Sequence, residues 1–486
     1  MSFKTDQSFL EKITMGAIGT QAVIDELNDN GHQVIELERY CTSNKIWSTK
    51  IKRLRMPDLI CLKCGKRIES RAKSRLEIKM SDTETNVERR WNIGLRREDM
   101  VAFIRCYKDN AGCKTEGVVN LFSVGDMEDA EDRSKLGAPK SPGEGSERDR
   151  NWPCYVPKKS GMVEEIIHDG ETHKIRLKYD DGSSYTYSCK GKVHYCVSGE
   201  RFIENTSIIA GVVSEKKNNG CIGDSYDFLQ DMRTESLEIR YAGVKAAGFL
   251  PREANVVERL YEIICDEDDT RIKLEAYASL VRLNENVWEE FKEYAYTIED
   301  EQYKMEFILI LGELKDYEDS SRILYEILED DIFSNEMKAA AIWGIGVSDK
   351  TIEKILQKCF SVEKIISRHA IALLEANMRK SYTQEITRYI EDENKSSVCF
   401  RILTNAENVD REFIVEKYIT TNNEMKRKWL CLVMGFGGKD KYGYIVDSKI
   451  KSVQVRGQLE IMWDYIEAKL SSDDVNDIEF LKLQII

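Results

Sequence analysis

Residues 57–73, Pro57-Asp58-Leu59-Ile60-Cys61-Leu62-Lys63-Cys64-Gly65-Lys66-Arg67-Ile68-Glu69-Ser70-Arg71-Ala72-Lys73, decide how the N-terminal part of this chain folds. Two short strand-forming runs flank a polar, glycine-containing turn signal, so the stretch reads as a β-hairpin with Cys64-Gly65 as a two-residue turn. Counting outward, Lys63 faces Lys66, Ile60 faces Glu69 and Asp58 faces Arg71. Side chains alternate along a strand, and directly opposed residues point to the same side. Asp58, Glu69, Arg71 and Lys73 therefore share one face, while Leu59, Cys61, Ile68 and Ala72 line the other. Two carboxylates beside two cations are costly to place in a sheet without a ligand. The economical ligand is a hard ion, Mg²⁺ or Mn²⁺, held through carboxylate oxygens with phosphate oxygens completing the shell. Such an ion lowers the pKa of a bound water and neutralises charge on a phosphodiester under attack.

Outward from the hairpin, a helical stretch over Thr20–Asn30 is followed by Gly31 and a strand-like run, His32–Tyr40. Beyond it come a polar segment, an expected helix near Val87–Arg97 and the strand-like Met100–Tyr107 (MVAFIRCY). The order is helix, three strands, helix, strand, an α/β arrangement. With Pro57-Asp58 and Glu69 at their places in it, residues 18–108 resemble the PD-(D/E)XK nuclease superfamily. The resemblance implies a restriction-endonuclease-like core and a metal-dependent nuclease, most readily an endodeoxyribonuclease of the restriction or antiviral-defence kind. It also implies that Asp58 and Glu69 are metal ligands and that Glu26, on the first helix, is an auxiliary carboxylate. The sequence departs from the family pattern two residues after Glu69, where Arg71 stands in place of lysine. Arginine grips phosphate and stabilises negative charge but does not give up its proton. Lys73, the next residue on that face, would supply the ammonium; Glu77-Ile78-Lys79 is an alternative motif further along. The competing reading is a catalytically inactive nuclease fold serving as a nucleic-acid-binding adaptor or scaffold.

The chain has 486 residues and a formal net charge of −14, which alone argues against a nucleic-acid partner. The charge is unevenly spread. From Arg39 to Arg97 there are 17 Lys and Arg against 6 acids, a local +11, so the remainder carries −25. A basic stripe around a candidate metal site is the footprint expected for a phosphate polymer. Lys50, Lys52, Arg53, Arg55, Arg75, Arg89 and Arg90 are its candidate contacts, with DNA ahead of RNA. Trp47 and Trp91, in the same stretch, read as core residues before base-stacking ones.

All six prolines lie at or before Pro251, and the rest of the chain is free to form unbroken helices. Segments beginning at Arg240, Lys273, Lys304, Lys338 and Arg368 repeat a basic start and a small-residue apolar face, spaced by 33, 31, 34 and 30 residues. A period near 30 with two helices per unit resembles HEAT-like repeats of an α-solenoid, a surface for a protein partner or for self-association. The expected organisation is an α/β domain (1–122), a linker rich in Gly, Pro, Ser and charge (123–151), a small SH3-like all-β barrel (152–222) and the α-solenoid (223–486).

Cys61-Leu62-Lys63-Cys64-Gly65 is half of a zinc knuckle, since two thiolates at this spacing wrap a Zn²⁺ ion. The other half is poorly spelled: Cys106 and Cys113 are separated by six residues, as are Cys189 and Cys196. The histidines, at positions 32, 168, 173, 194 and 369, form no recognisable pair with a nucleophilic cysteine, and no Walker A loop is spelled. His369 reads as a packing residue. No run of about 18 apolar residues predicts a membrane span, and the charged N-terminus lacks the apolar core of a secretory signal. The expected compartment is the cytoplasm, with the cysteines reduced.

Overall fold

The computed structural model describes residues 7–37, 47–52, 54–109, 112–140, 147–169, 172–216, 220–223 and 225–470. The chain forms two compact units, Met1–Glu293 and Tyr294–Ile486.

The first unit opens with helix α1 (Gln7–Asp29), then strands β1 (Val34–Glu36), β2 (Leu59–Cys61), β3 (Arg67–Lys73), β4 (Ile78–Asp82), β5 (Met100–Asp109) and β6 (Gly112–Ser123). Five of these strands make one mixed sheet in the order β1-β2-β3-β5-β6. β1, β2 and β3 form an antiparallel meander, β3 and β5 run parallel from Ile68↔Met100 to Lys73↔Arg105, and β5 turns back into β6. α1 covers one face, burying Val23 and Leu27 against Leu59, Ile68, Ala102 and Ile104. At roughly 1.5–3 kcal/mol per buried aliphatic side chain, this packing is what holds the helix on the sheet.

A parallel strand pair needs a crossover, here supplied by residues 74–99. The helix expected near Val87–Arg97 is reduced to one 3-10 turn, Val87–Arg89. Two contacts keep the segment from winding. Gly94 sits at φ +76°, where a Cβ would lie 1.8 Å from the Arg55 carbonyl oxygen, and the Asp82 carboxylate accepts the Trp91 N–H at 3.2 Å.

The sheet's second face is covered by Leu76, Ile78, Met80, Met127 and Trp152, packed against Val101, Phe103 and Phe122. This layer corrects the expectation of a linker over 123–151. Ser123 caps a helix, Val124–Asp129, whose Val124 and Met127 are wholly buried. β7 (Lys135–Leu136) and β8 (Arg148–Trp152) join β4 in a three-stranded sheet, with Ile78 opposite Trp152. Residues 141–146 of this stretch lie outside the described residues; its apolar Val124, Met127 and Ala130 are buried, while many of its charges lie on the helix and β8.

The next strands are β9 (Cys154–Tyr155), β10 (Gly161–Asp169), β11 (Thr172–Tyr179), β12 (Ser184–Ser188), β13 (Val193–His194), β14 (Arg201–Phe202) and β15 (Ala210–Gly211). They form two sheets, β12-β11-β10-β14 and β13-β15-β9, around Val163, Ile175, Leu177, Phe202 and Ile209. The expected SH3-like barrel does not close among the described residues. β9, β13, β14 and β15 are two residues long, too short to carry hydrogen bonding around a cylinder.

Helices Leu237–Ala247, Ala254–Asp266 and Thr270–Arg282 follow in the first unit, the first and third capped by Ser236 and Asp269, whose side-chain oxygens take the first free N–H groups. The Lys245 ammonium donates to the Leu37 carbonyl at 3.3 Å and Arg271 to the Lys52 carbonyl at 2.6 Å, tying these helices to the start of the mixed sheet.

The second unit is all-helical and repeat-like. Helices Glu301–Glu313, Asn335–Ile345, Lys364–Ala376, Ser396–Asn405, Glu424–Gly437 and Val453–Leu470 pack successively in one row. Between them, Glu318–Glu329, Ile352–Cys359, Tyr382–Arg388, Arg411–Thr420 and Lys439–Lys449 form a second row. Buried Ala339, Ala340 and Ala341 let neighbouring helices approach closely. His369 accepts the Trp343 indole N–H at 3.0 Å within this unit. Among the described residues no helix is long and apolar enough to cross a membrane.

Candidate functional site

The hairpin register differs from the sequence count by two. Leu59 pairs with Ile68 and Ile60 with Arg67. The Cys61 N–H donates to the Lys66 carbonyl at 2.8 Å and closes a four-residue turn, Leu62–Gly65. A turn two residues longer moves each partner by two and leaves the alternation intact, so Asp58, Glu69, Arg71 and Lys73 remain on one face, opposite to α1. One step beyond the Leu59–Ile68 pair the strands part, and Asp58 comes level with Glu69 instead of with Arg71. Its Oδ2 accepts the Ser70 N–H at 2.8 Å, supplying the ladder bond that β2 no longer offers.

Glu69 is buried and ion-paired with Arg71, which stays partly exposed. Lys73 follows, its ammonium 5.8 Å from the centre of the Phe103 ring. Burial, with repulsion from Arg71 and Lys79, pushes Lys73 down to about 8.

Glu26 does not join this group. It lies on α1, and its Oε2 accepts the Val119 N–H of β6 at 2.9 Å. β6 is three strands from β2, about 14 Å at the usual strand spacing, too far for a shared ion. Burial pushes the Glu26 carboxyl up. Glu77 and Lys79 lie outside the mixed sheet, Lys79 on β4 and Glu77 just before it. Lys79 pairs with Glu77 at 3.1 Å and Asp149 at 3.5 Å, and Glu77 with Arg75 at 3.4 Å. This alternative pair is a surface ion network.

Of the candidate nucleic-acid contacts, Lys50, Lys52, Arg55, Arg75 and Arg89 are exposed, and Arg53 lies outside the described residues. Arg90 is held by Glu131 at 2.7 Å. Other cations of the stripe meet acids contributed by residues 99–149: Arg67 is locked to Asp99, and Arg97 bridges Glu128 and Asp129. The local +11 is thus partly offset in the fold. Trp47 and Trp91 are buried, Trp91 edge-on to Trp152 at 5.0 Å, so neither offers a free stacking face.

At the turn end of the same hairpin, Cys61 and Cys64 are joined by His32 and Cys221, all four ligand atoms lying within 4.8 Å of one another. His32 follows the C-terminus of α1, and Cys221 lies on the segment after the small sheets. The Cys64 sulfur is 3.6 Å from His32 Nδ1, and the Cys61 and Cys221 sulfurs are 4.0 Å apart. Burial alone would raise the Cys61 thiol, but backbone N–H groups of Cys64, Gln33 and Lys63 and a bond from His32 outweigh it and bring it to about 6. Burial and the neighbouring sulfurs push Cys64 up to about 12. A first thiolate forms readily here, and a second needs a cation beside it. Cys106 and Cys113, and Cys189 and Cys196, take no part. The sequence signal for His32 and Cys221 is faint: a lone histidine after a helix and a lone cysteine in a loop, 29 residues before and 157 after the Cys61–Cys64 pair.

The chain matches no family model and no curated protein.

Proposed function

We propose that this chain is a metal-dependent nuclease acting at the splayed end of the β2–β3 hairpin, with its HEAT-like helical repeats as a surface for a protein partner or a second copy. The observation that carries the reading is the Asp58 carboxylate on the N–H of Ser70, the residue after Glu69, on a mixed sheet in which β3 runs parallel to β5. The Asp58 carboxylate reaches across the parted strands to the β3 backbone beside Glu69. Asp58 and Glu69 would hold Mg²⁺ or Mn²⁺, whose chemistry is to acidify a water and neutralise phosphate charge. Arg71 reaches the partly exposed side and binds phosphate oxygens in a planar fork. Lys73, held near 8, presents a population of neutral amine at mildly basic pH and takes or holds a proton of the attacking water. The exposed Lys50, Lys52, Arg55, Arg75 and Arg89 would follow the backbone of the nucleic acid, DNA ahead of RNA, in a cytoplasmic restriction or antiviral role.

A second reading, a nuclease-like fold that binds without cutting, is favoured by the partners both carboxylates already have: Arg71 for Glu69 and the Ser70 N–H for Asp58. The full-length protein incubated with plasmid, linear duplex, single-stranded DNA and RNA, with Mn²⁺, Mg²⁺ or EDTA, separates the two. Metal-dependent cleavage that falls by about 100-fold or more in Asp58→Ala and in Glu69→Ala supports the nuclease. Binding without cleavage under every condition supports the second reading.

A further inference from the structure

We propose that His32, Cys61, Cys64 and Cys221 bind one structural Zn²⁺ ion, which fastens the segment after the small β-sheets to the turn of the β2–β3 hairpin. The inference is independent of the nuclease reading.

Tetrahedral zinc with Zn–S near 2.3 Å and Zn–N near 2.0–2.1 Å sets sulfur–sulfur separations of about 3.8 Å and sulfur–nitrogen separations of about 3.6 Å. The Cys61–Cys221 separation of 4.0 Å and the Cys64–His32 separation of 3.6 Å lie within a few tenths of an ångström of those values. Three sulfurs and one imidazole form a soft set without a carboxylate, which selects zinc over the hard ions suited to the other end of the hairpin. Four protein ligands leave no open position, so the ion's role is structural.

The convergence does not rest on side-chain rotamers, because the backbones are already joined. The Cys221 N–H donates to the Asn30 carbonyl at 3.1 Å. The Ser225 and Tyr226 N–H groups both reach the Lys63 carbonyl, at 2.9 and 3.0 Å. The Lys63 ammonium bonds the Gly31 carbonyl at 3.1 Å. Gly65 has φ +69°, and the Tyr226 ring occupies the space a Cβ would need, 2.5 Å away. Three thiolates and Zn²⁺ carry a net charge of −1, and Lys63 and Lys66 stand within or next to the turn to balance it.

The test is metal analysis of the full-length protein purified without added metal, beside Cys64→Ser, Cys221→Ser and a control, Cys265→Ser, at an exposed cysteine outside the group. The expected result is one zinc per chain in the wild type and the control, and at least a tenfold loss in the two ligand variants. Should those variants fail to fold, the wild type alone decides. Cobalt exchanged into it should give the visible bands of a tetrahedral thiolate site, and a mercurial thiol reagent should release one zinc to a chromogenic chelator. The proposal is overturned if the wild type carries no zinc, if Cys64→Ser and Cys221→Ser retain it, or if alkylation and mass spectrometry find Cys61 joined to Cys221 as a disulfide.

Discussion

At its turn the β2–β3 hairpin gathers three sulfurs and an imidazole within 4.8 Å of one another; about 10 Å away along β2, at its open end, two carboxylates are each already held by a donor. The ligands at the turn come from three separated segments. At the open end a cation, Arg71, comes from the same strand as the carboxylate it meets. On the zinc proposal, ligands drawn from three segments are held together by their ion. A group that carries its own counter-charge can fold without one and exchange its ion with substrate. On the two proposals, the hairpin would separate a permanent fastening from a site that exchanges its metal.

Selective removal of metal tests that contrast most severely. Stripping zinc with a strong chelator should lower the thermal midpoint of the first unit by about 10 °C or more, whereas withdrawing only Mg²⁺ and Mn²⁺ should leave it within about 2 °C. Equal effects in calorimetry would erase the distinction. The next effect belongs to Asp99, just before β5. It holds Arg67 of β3 through a pair buried on both sides and takes the Arg96 N–H at 2.7 Å. Asp99→Ala leaves the Arg67 charge buried, and urea unfolding should show a loss of about 3–5 kcal/mol.

The smallest effect concerns Lys73. Its folded value of about 8 lies below the ordinary 10.5, so between those pH values the unfolded chain binds more protons and stability rises with pH. Lys73→Met should remove that rise and stabilise the chain at pH 7 by roughly 1–2 kcal/mol. Urea midpoints at pH 7 and pH 10 that keep the same difference in the variant would show that the ammonium is not desolvated as described.

Local alternation made much of the carboxylate end legible. The hairpin parity survived a wrong turn length because the error was an even number of residues, and even shifts return each side chain to its face. The expected helix over 87–97 failed because contacts at Gly94 and Trp91, invisible in local spacing, hold the backbone open. The 123–151 stretch read as a linker because its pairing partner, β4, lies about 70 residues earlier, and composition does not show strand pairing at that range. His32 and Cys221 were out of reach for the same reason. A knuckle motif announces two ligands, and the other two become neighbours only after α1, the hairpin and the residues around Cys221 have packed.

Sequence distance gives the sulfur group a consequence in time. Cys221 is made 157 residues after Cys64. At ~5–20 residues per second of synthesis, the hairpin waits roughly 8–30 s on the ribosome with three ligands and one vacant coordination position. During that interval the nascent protein is a partial chelator, open to a competing metal or to oxidation. An N-terminal piece ending at residue 122 would remain so permanently, and cutting the chain there would remove a fastening of the domain it was meant to isolate.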